Sequence, residues 1–205
     1  MDLQLLRKAQ RHLSRRDAVL QPLIRAVGPC TLQISGDHFA TLVRSIVSQQ
    51  ISTKAALAIG GRLLETVGRF DPKRILAASE DDMRAAGLSG GKRRSIRDLA
   101  EKCISGAVPL KKLAAMDDAD IVEALTQVHG IGPWTADMFL IFSLGRPDVL
   151  PVGDYGLRSG MHKHYQLPEL PKKAALLELT EEWKPFRSIG TWYIWRSLGN
   201  VPQSD

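Results

Sequence analysis

The chain has 205 residues, 44% hydrophobic and 24% charged, enough apolar material for one sizeable core or for two small lobes that share one. Its 28 Lys and Arg against 22 Asp and Glu give a formal net charge of +6, a modest excess that favours polyanionic partners without fixing one. No run approaches the roughly 18 apolar residues of a membrane-spanning helix, and two cysteines without CxxC spacing exclude an iron–sulfur cluster or a thiolate zinc site.

In chain order, the first segment, MDLQLLRKAQRHLSRR, is broken by charges where a secretory signal needs an apolar stretch. The expectation is a cytoplasmic protein, nucleoid-associated in a bacterial source, with no membrane partner. Apolar residues then recur at helical spacing, as in Phe39, Leu42, Val43, Ile46 and Val47, and again in Ala55, Ala56, Ile59, Leu63 and Val67. Helix starts are predicted after Asp17, Ser52, Ser79 and Asp117, whose short polar side chains accept from first-turn amides; Ser79 and Asp82 have capping-box spacing. Gly28, Gly68, Gly87 and Gly106 mark helix ends, while Pro29, Pro72, Pro109 and Pro151 mark turns or first helical positions. Thr31 to Ile34 alternates, but a lone strand has no partner and reads as a loop. The result is an all-α chain of about ten short helices. Without a composition shift to cut at, 1–205 reads as one compact unit. Cys30 and Cys103 read as two free thiols, with one disulfide left open.

The basic excess gathers at Arg15, Arg16, Arg25, Arg44, Lys54 and above all at Lys92, Arg93, Arg94 and Arg97. Such a run is either a solvated helix face or a line of phosphate contacts. The most informative stretch is Leu125-Thr-Gln-Val-His-Gly-Ile-Gly-Pro-Trp-Thr-Ala-Asp137. An amphipathic helix over Ile121 to Val128 meets a two-glycine turn, Gly130-Ile131-Gly132, and a second helix starts at once with Pro133 in its first position. Glycine at both turn positions allows positive φ and leaves no Cβ in the way, so turn amides and the next helix N-terminus can approach a phosphate. Such contacts position a nucleic acid without reading its sequence.

His129-Gly-Ile-Gly132 followed by Pro133-Trp-Thr-Ala-Asp137 resembles the hairpin of the helix-hairpin-helix DNA glycosylase superfamily (HhH-GPD), within it the 3-methyladenine DNA glycosylase II group. The resemblance spans roughly residues 38 to 200 and continues in Pro151-Val-Gly-Asp-Tyr-Gly-Leu-Arg158, where Asp154 matches the family's catalytic aspartate. Trp134 and Asp154 lie 20 positions apart, room for one apolar helix through Met138, Phe139, Leu140, Ile141, Phe142 and Leu144 and a return loop. By its position alone Asp154 also reads as the N-cap of a helix from Tyr155, and a helix N-terminus favours a negative charge placed there.

The resemblance implies a monofunctional glycosylase of base excision repair, which hydrolyses the N-glycosidic bond of alkylated bases such as 3-methyladenine and 7-methylguanine in duplex DNA, by base flipping, and leaves an abasic site. Cleavage develops positive charge on the sugar, and the Asp154 carboxylate would stabilise that oxocarbenium-like state or orient water for attack. Where the bifunctional branch carries a Schiff-base lysine, this chain has Trp134. An indole stacks on a cationic alkylated base, each cation–π contact worth about 0.5 to 2 kcal/mol. Trp195, in Lys184-Pro-Phe-Arg-Ser-Ile-Gly-Thr-Trp-Tyr-Ile-Trp195, matches a second base-pocket tryptophan, against the competing reading of a core residue; Met138 stands where some members place a pocket aromatic. Gln50, with neighbours Gln49 and Ile51, matches the position that fills the gap left by the extruded base, against the plain reading of a solvated helix end.

Backbone contacts are expected from His129, Gly130, Ile131, Gly132 and Thr135, with Lys92 and Arg93 as a second set. No metal or organic cofactor is expected, although the hairpin leaves room for a monovalent cation. The implied architecture is two helical lobes with the active site in the cleft between them, 1–44 with 136–205 and 45–135, in a monomer acting on double-stranded DNA that contains alkylated bases. Residues 1 to 37 leave no room for the N-terminal β-rich domain of longer members. Rival readings are a non-catalytic helix-hairpin-helix DNA-binding module, a bifunctional glycosylase/lyase and a helical protein-interaction scaffold.

Overall fold

A computed structural model describes residues 1–199. Among them are twelve α-helices, two 3₁₀ turns and no strand, somewhat more than the ten helices expected because three of the helices have only six or seven residues. In chain order these are α1 (Leu3–Arg16), α2 (Leu20–Val27), α3 (His38–Ser48), α4 (Thr53–Val67), α5 (Pro72–Ala77), α6 (Glu80–Ala85), α7 (Gly90–Ser105), α8 (Asp118–Thr126), α9 (Pro133–Phe142), α10 (Tyr155–His164), α11 (Lys173–Leu179) and α12 (Arg187–Ser197).

The helices fall into two compact units, residues 1–34 with 140 onward, and 35–139. The first division therefore lies ahead of α3 rather than at residue 44, and the second falls inside α9. Residues 200–205, placed by sequence with the first lobe, lie outside the described residues.

In the first unit α12 packs on α1, α2 and α10. Its residues from Ser188 to Trp195 are all buried, so α12 has no polar face at the centre of the unit. Two glycines allow that closeness. A Cβ at Gly160 of α10 would fall 2.2 Å from Ile194 Cγ2, and one at Gly190 of α12 would fall 2.4 Å from the Trp183 ring. Asp17, at the junction of α1 and α2, ties the same core together. Its carboxylate accepts from the Val19 and Leu20 amides at 2.8 and 2.9 Å, from Trp183 Nε1 at 2.6 Å, and from the Tyr165 hydroxyl. By sequence Asp17 is only a helix start; in the structure it is also the acceptor that satisfies a buried indole and a half-buried phenol. Burial, and then the Asp17 carboxylate, push the Tyr165 phenol well above its ordinary range.

The second unit is organised on α3 and α7, with α5 and α6 on α7 and α4 on α3. Eight of the eleven α3 residues are buried, from Phe39 through Val47. The helix starts follow the short polar residues, with Asp37, Ser52, Asp71, Ser79 and Ser89 each accepting from a first-turn amide. Ser79 takes the Asp82 amide at 3.0 Å and donates its hydroxyl to the Asp82 carboxylate at 2.6 Å, a variant of the predicted capping box. Asp117 precedes α8 as predicted but makes no side-chain capping bond. Cys30 and Cys103 are free thiols, one in each unit, and burial pushes each to about 12.

Candidate functional site

The hairpin in the second unit joins α8 to α9 through residues 127–132. Val128 and Ile131 amides donate in sequence to Leu125 and Val128 carbonyls at 3.0 Å each, and α9 opens with Ala136 donating to Gly132 O at 3.1 Å. Its two glycines serve different ends. Gly130 has φ +78°, in the left-handed region, and a Cβ there would lie 2.4 Å from Ser95 Oγ on α7. Gly132 does not use positive φ, and a Cβ there would meet open space. The first glycine is thus required by the backbone and by packing, while the second keeps the mouth of α9 uncovered. Ile131 and Thr135, predicted at the nucleic-acid face, are buried at 4% exposure each. Ile131 anchors the turn from beneath, so only its backbone is placed for the predicted role.

His129 is exposed, but its amide is engaged, donating to Asp98 Oδ2 at 2.6 Å. Asp98 also accepts from Lys102, one turn further along α7. Burial works against the charge on Asp98, but Lys102 and the His129 amide outweigh it and hold the carboxyl below its ordinary value. The sequence shows the Asp98–Lys102 spacing; the link to His129, 31 positions away, depends on how α7 meets the hairpin.

Trp134, second residue of α9, is 40% exposed although it is a large apolar side chain, whereas Met138 one turn on is 1% exposed. Met138 is therefore a core residue in this structure, and Trp134 carries the aromatic surface expected of the pair. The turn after α3 brings Gln49 to the same hairpin, its Nε2 donating to Gly130 O at 3.0 Å. Gln50 follows with φ +57°, a left-handed backbone outside glycine, and is exposed together with Ile51.

Most of the basic run on α7 is engaged within its own unit. Lys92 donates to Val47 O at 2.7 Å; Arg93 pairs with Glu80 at 2.8 Å and donates to Leu88 O at 2.7 Å. Arg97 also pairs with Glu80, at 2.9 Å, while Arg94 is exposed. Lys92 and Arg93, taken from sequence as phosphate contacts, hold loops of their own unit, because orphan carbonyls at helix ends and the Glu80 carboxylate lie within their reach.

In the first unit, Asp154 is the N-cap of α10, buried at 6% exposure. Its Oδ1 accepts from the Leu157 amide at 2.6 Å and from Trp195 Nε1 at 2.8 Å. Trp195 itself is 1% exposed, with its ring stacked against Phe142 at 5.8 Å between centroids. The residue expected to line a base pocket thus holds the carboxylate instead, and offers no open ring face. Gly156 leaves the pair uncrowded, since a Cβ there would lie 3.2 Å from Asp154 Oδ1 and 3.3 Å from Trp195 Cδ1, tighter than ordinary van der Waals contact. The other end of α12 fixes the approach to Asp154. Arg187 grips Asp148 with two guanidinium contacts of 2.8 Å, and Ser188 Oγ accepts from the Val149 amide at 2.9 Å while donating to Arg146 O at 2.7 Å. Asp148, Arg187 and Ser188 carry no signal in the sequence because 39 positions separate Asp148 from Arg187, and Gly156, although inside the stretch 151–158, shows its part only once Trp195 packs beside it.

Among the described residues no group of three or more His, Cys, Asp or Glu side chains is placed to hold a metal ion.

The sequence profile of the HhH-GPD superfamily base excision DNA repair proteins matches residues 43–185, which include the hairpin and Asp154. The chain belongs to this superfamily. The HhH-GPD relatives include DNA-3-methyladenine glycosylase 1 of Schizosaccharomyces pombe, 38% identical over 199 residues that cover 94% of this chain and 87% of the relative. A solved structure of the S. pombe 3-methyladenine DNA glycosylase in complex with abasic DNA superposes with a TM-score of 0.83 at 35% identity, covering 97% of this chain and 100% of that one. A DNA-3-methyladenine glycosidase from Bacillus halodurans matches with a TM-score of 0.84 at 36% identity, over 93% of this chain and 89% of that one.

Proposed function

We propose that this HhH-GPD chain is a monofunctional DNA-3-methyladenine glycosylase, acting as a monomer on alkylated bases flipped from duplex DNA in the cytoplasm. The observation that carries the reading is the seating of Asp154, which caps α10 and is fixed by the Trp195 indole, in a chain whose hairpin leads into Trp134. The 3-methyladenine relatives support the substrate class.

Each residue has a distinct task in this reading. The exposed Gly130 and Gly132 present the hairpin backbone to a DNA phosphate, with the N-terminal end of α9 adding its positive dipole. Gln50, with Ile51 beside it, fills the stack vacated by the extruded nucleotide. Trp134 stacks on the alkylated base, whose positive charge an electron-rich ring attracts. Alkylation at a purine ring nitrogen makes the base a good leaving group, so the C1′–N bond breaks with its electron pair passing to the base. The Asp154 carboxylate stabilises the oxocarbenium-like sugar and orients water, whose oxygen bonds C1′ and whose proton the carboxylate takes up. The products are a neutral free base and an abasic sugar.

Trp134 supplies no amine, so no Schiff base forms there and the strand stays intact. The chemistry asks for no metal or organic cofactor, because the carboxylate and water suffice.

The test is release of 3-methyladenine and 7-methylguanine from methylated duplex DNA in EDTA, with Asp154→Asn beside the wild type. Wild-type release and a fall on the order of a hundredfold in the variant are expected. DNA binding without release of any alkylated base would favour the non-catalytic binding module.

A further inference from the structure

Residues 49–52, between α3 and α4, combine an exposed tip with a firmly held base. The last carbonyls of a helix lack intrahelical donors. At the end of α3, Ser48 Oγ donates to Ser45 O at 3.0 Å and Lys92 Nζ, reaching across from α7, donates to Val47 O at 2.7 Å. Gln49 then leaves the helix and donates its side-chain amide to Gly130 O, which ties the turn to the hairpin. Gln50 sits at φ +57°, a conformation that a non-glycine residue keeps only where its surroundings impose it. Ser52 closes the turn by capping α4 through the Ala55 amide at 3.3 Å. Gln50 and Ile51, between these ties, are exposed.

We propose that Lys92 and Gln49 form a clasp that presets this turn, so that Gln50 enters the duplex stack from a backbone already fixed relative to the hairpin that grips the phosphates. Both are positioning residues for base extrusion, and neither takes part in bond cleavage. The clasp rests on the glycosylase reading given above. Lys92 is half-buried, and burial draws its ammonium below the ordinary lysine value, as befits a structural donor better than a solvated phosphate ligand. A rigid wedge matters for a paired base, which must be unstacked against its partner, and matters little for an unpaired one.

The experiment compares wild type, Lys92→Met, Gln49→Leu and Gln50→Gly on 7-methylguanine in duplex DNA and in the same strand unpaired. Lys92→Met is expected to lose on the order of tenfold or more on the duplex and no more than about threefold on the single strand, as a misplaced positioning element does. Gln49→Leu, which leaves α7 untouched, is expected to share that pattern, and thermal unfolding verifies that each variant folds. The salt dependence of DNA binding is expected to stay unchanged in Lys92→Met. Equal losses on both substrates overturn the clasp. So does a salt slope shallower by about one, which would make Lys92 a phosphate contact. If wild type releases no base from either substrate, the glycosylase reading fails, and the clasp is then read without chemistry. On a duplex with an abasic site flanked by 2-aminopurine, Gln50→Gly and Lys92→Met must both reduce the emission change on binding. A wild-type response from Lys92→Met overturns the clasp there too.

Discussion

Replacing Trp195 with phenylalanine keeps an aromatic ring against Phe142 but deletes the indole N–H that donates to Asp154 Oδ1 at 2.8 Å. The Leu157 amide, which donates to the same oxygen at 2.6 Å, remains. A hydrogen bond to a charged acceptor contributes about 1.5 to 3 kcal/mol, so losing one from a group whose placement matters costs about 2 kcal/mol of transition-state stabilisation. At roughly 1.4 kcal/mol per tenfold, that is a drop of about thirtyfold in the rate of base release. Substrate affinity is expected to hold, because Trp195 is 1% exposed and has no open face for a base. The assay is single-turnover release of 7-methylguanine from duplex DNA across protein concentrations, which separates the limiting rate from binding. Gly156→Ala approaches the same pair from the other side. Its Cβ, 3.2 Å from Asp154 Oδ1 and 3.3 Å from Trp195 Cδ1, would require the carboxylate or the indole to shift by a few tenths of an ångström, and a lower rate of the same step is the expected outcome. A Trp195→Phe enzyme with an unchanged limiting rate and weakened binding would refute the reasoning and return Trp195 to a base-contacting role.

Trp134→Ala is expected to lower release of cationic bases by roughly 2- to 30-fold, the equivalent of a single cation–π contact, while borohydride traps no covalent adduct with wild-type protein. Asp98 gives a pH dependence with a definite sign. Its folded carboxyl lies below the ordinary value of 3.8, held down by Lys102 and His129 against the opposing effect of burial. Its contribution to stability is therefore complete above that value and is lost as pH falls through the lower folded one. Urea unfolding followed from neutral to acid pH is expected to show this loss in wild type and a smaller one in Asp98→Asn; identical profiles would refute it.

Helical spacing, caps and glycine punctuation are local properties, and these parts of the fold were legible along the chain. Ser52, Ser79 and Pro133 stand at helix starts, and Gly28, Gly68 and Gly106 at helix ends, because capping needs only residues a few positions apart. The motif around Gly130 and the cap at Asp154 were legible for the same reason. What the side chains do at long range was not. Sequence placed Lys92 and Arg93 on phosphate, whereas they hold Val47, Leu88 and Glu80. The resemblance placed Trp195 and Met138 at a base pocket, with a core tryptophan as the competing reading of Trp195, and in the structure both side chains are buried. A lysine or tryptophan has the same local pattern whether it meets solvent, a ligand or another helix. Its partner is chosen when distant segments pack, as α12 brings Trp195 to Asp154 across 41 positions, and that choice depends on which orphan acceptors lie within reach once the core has closed.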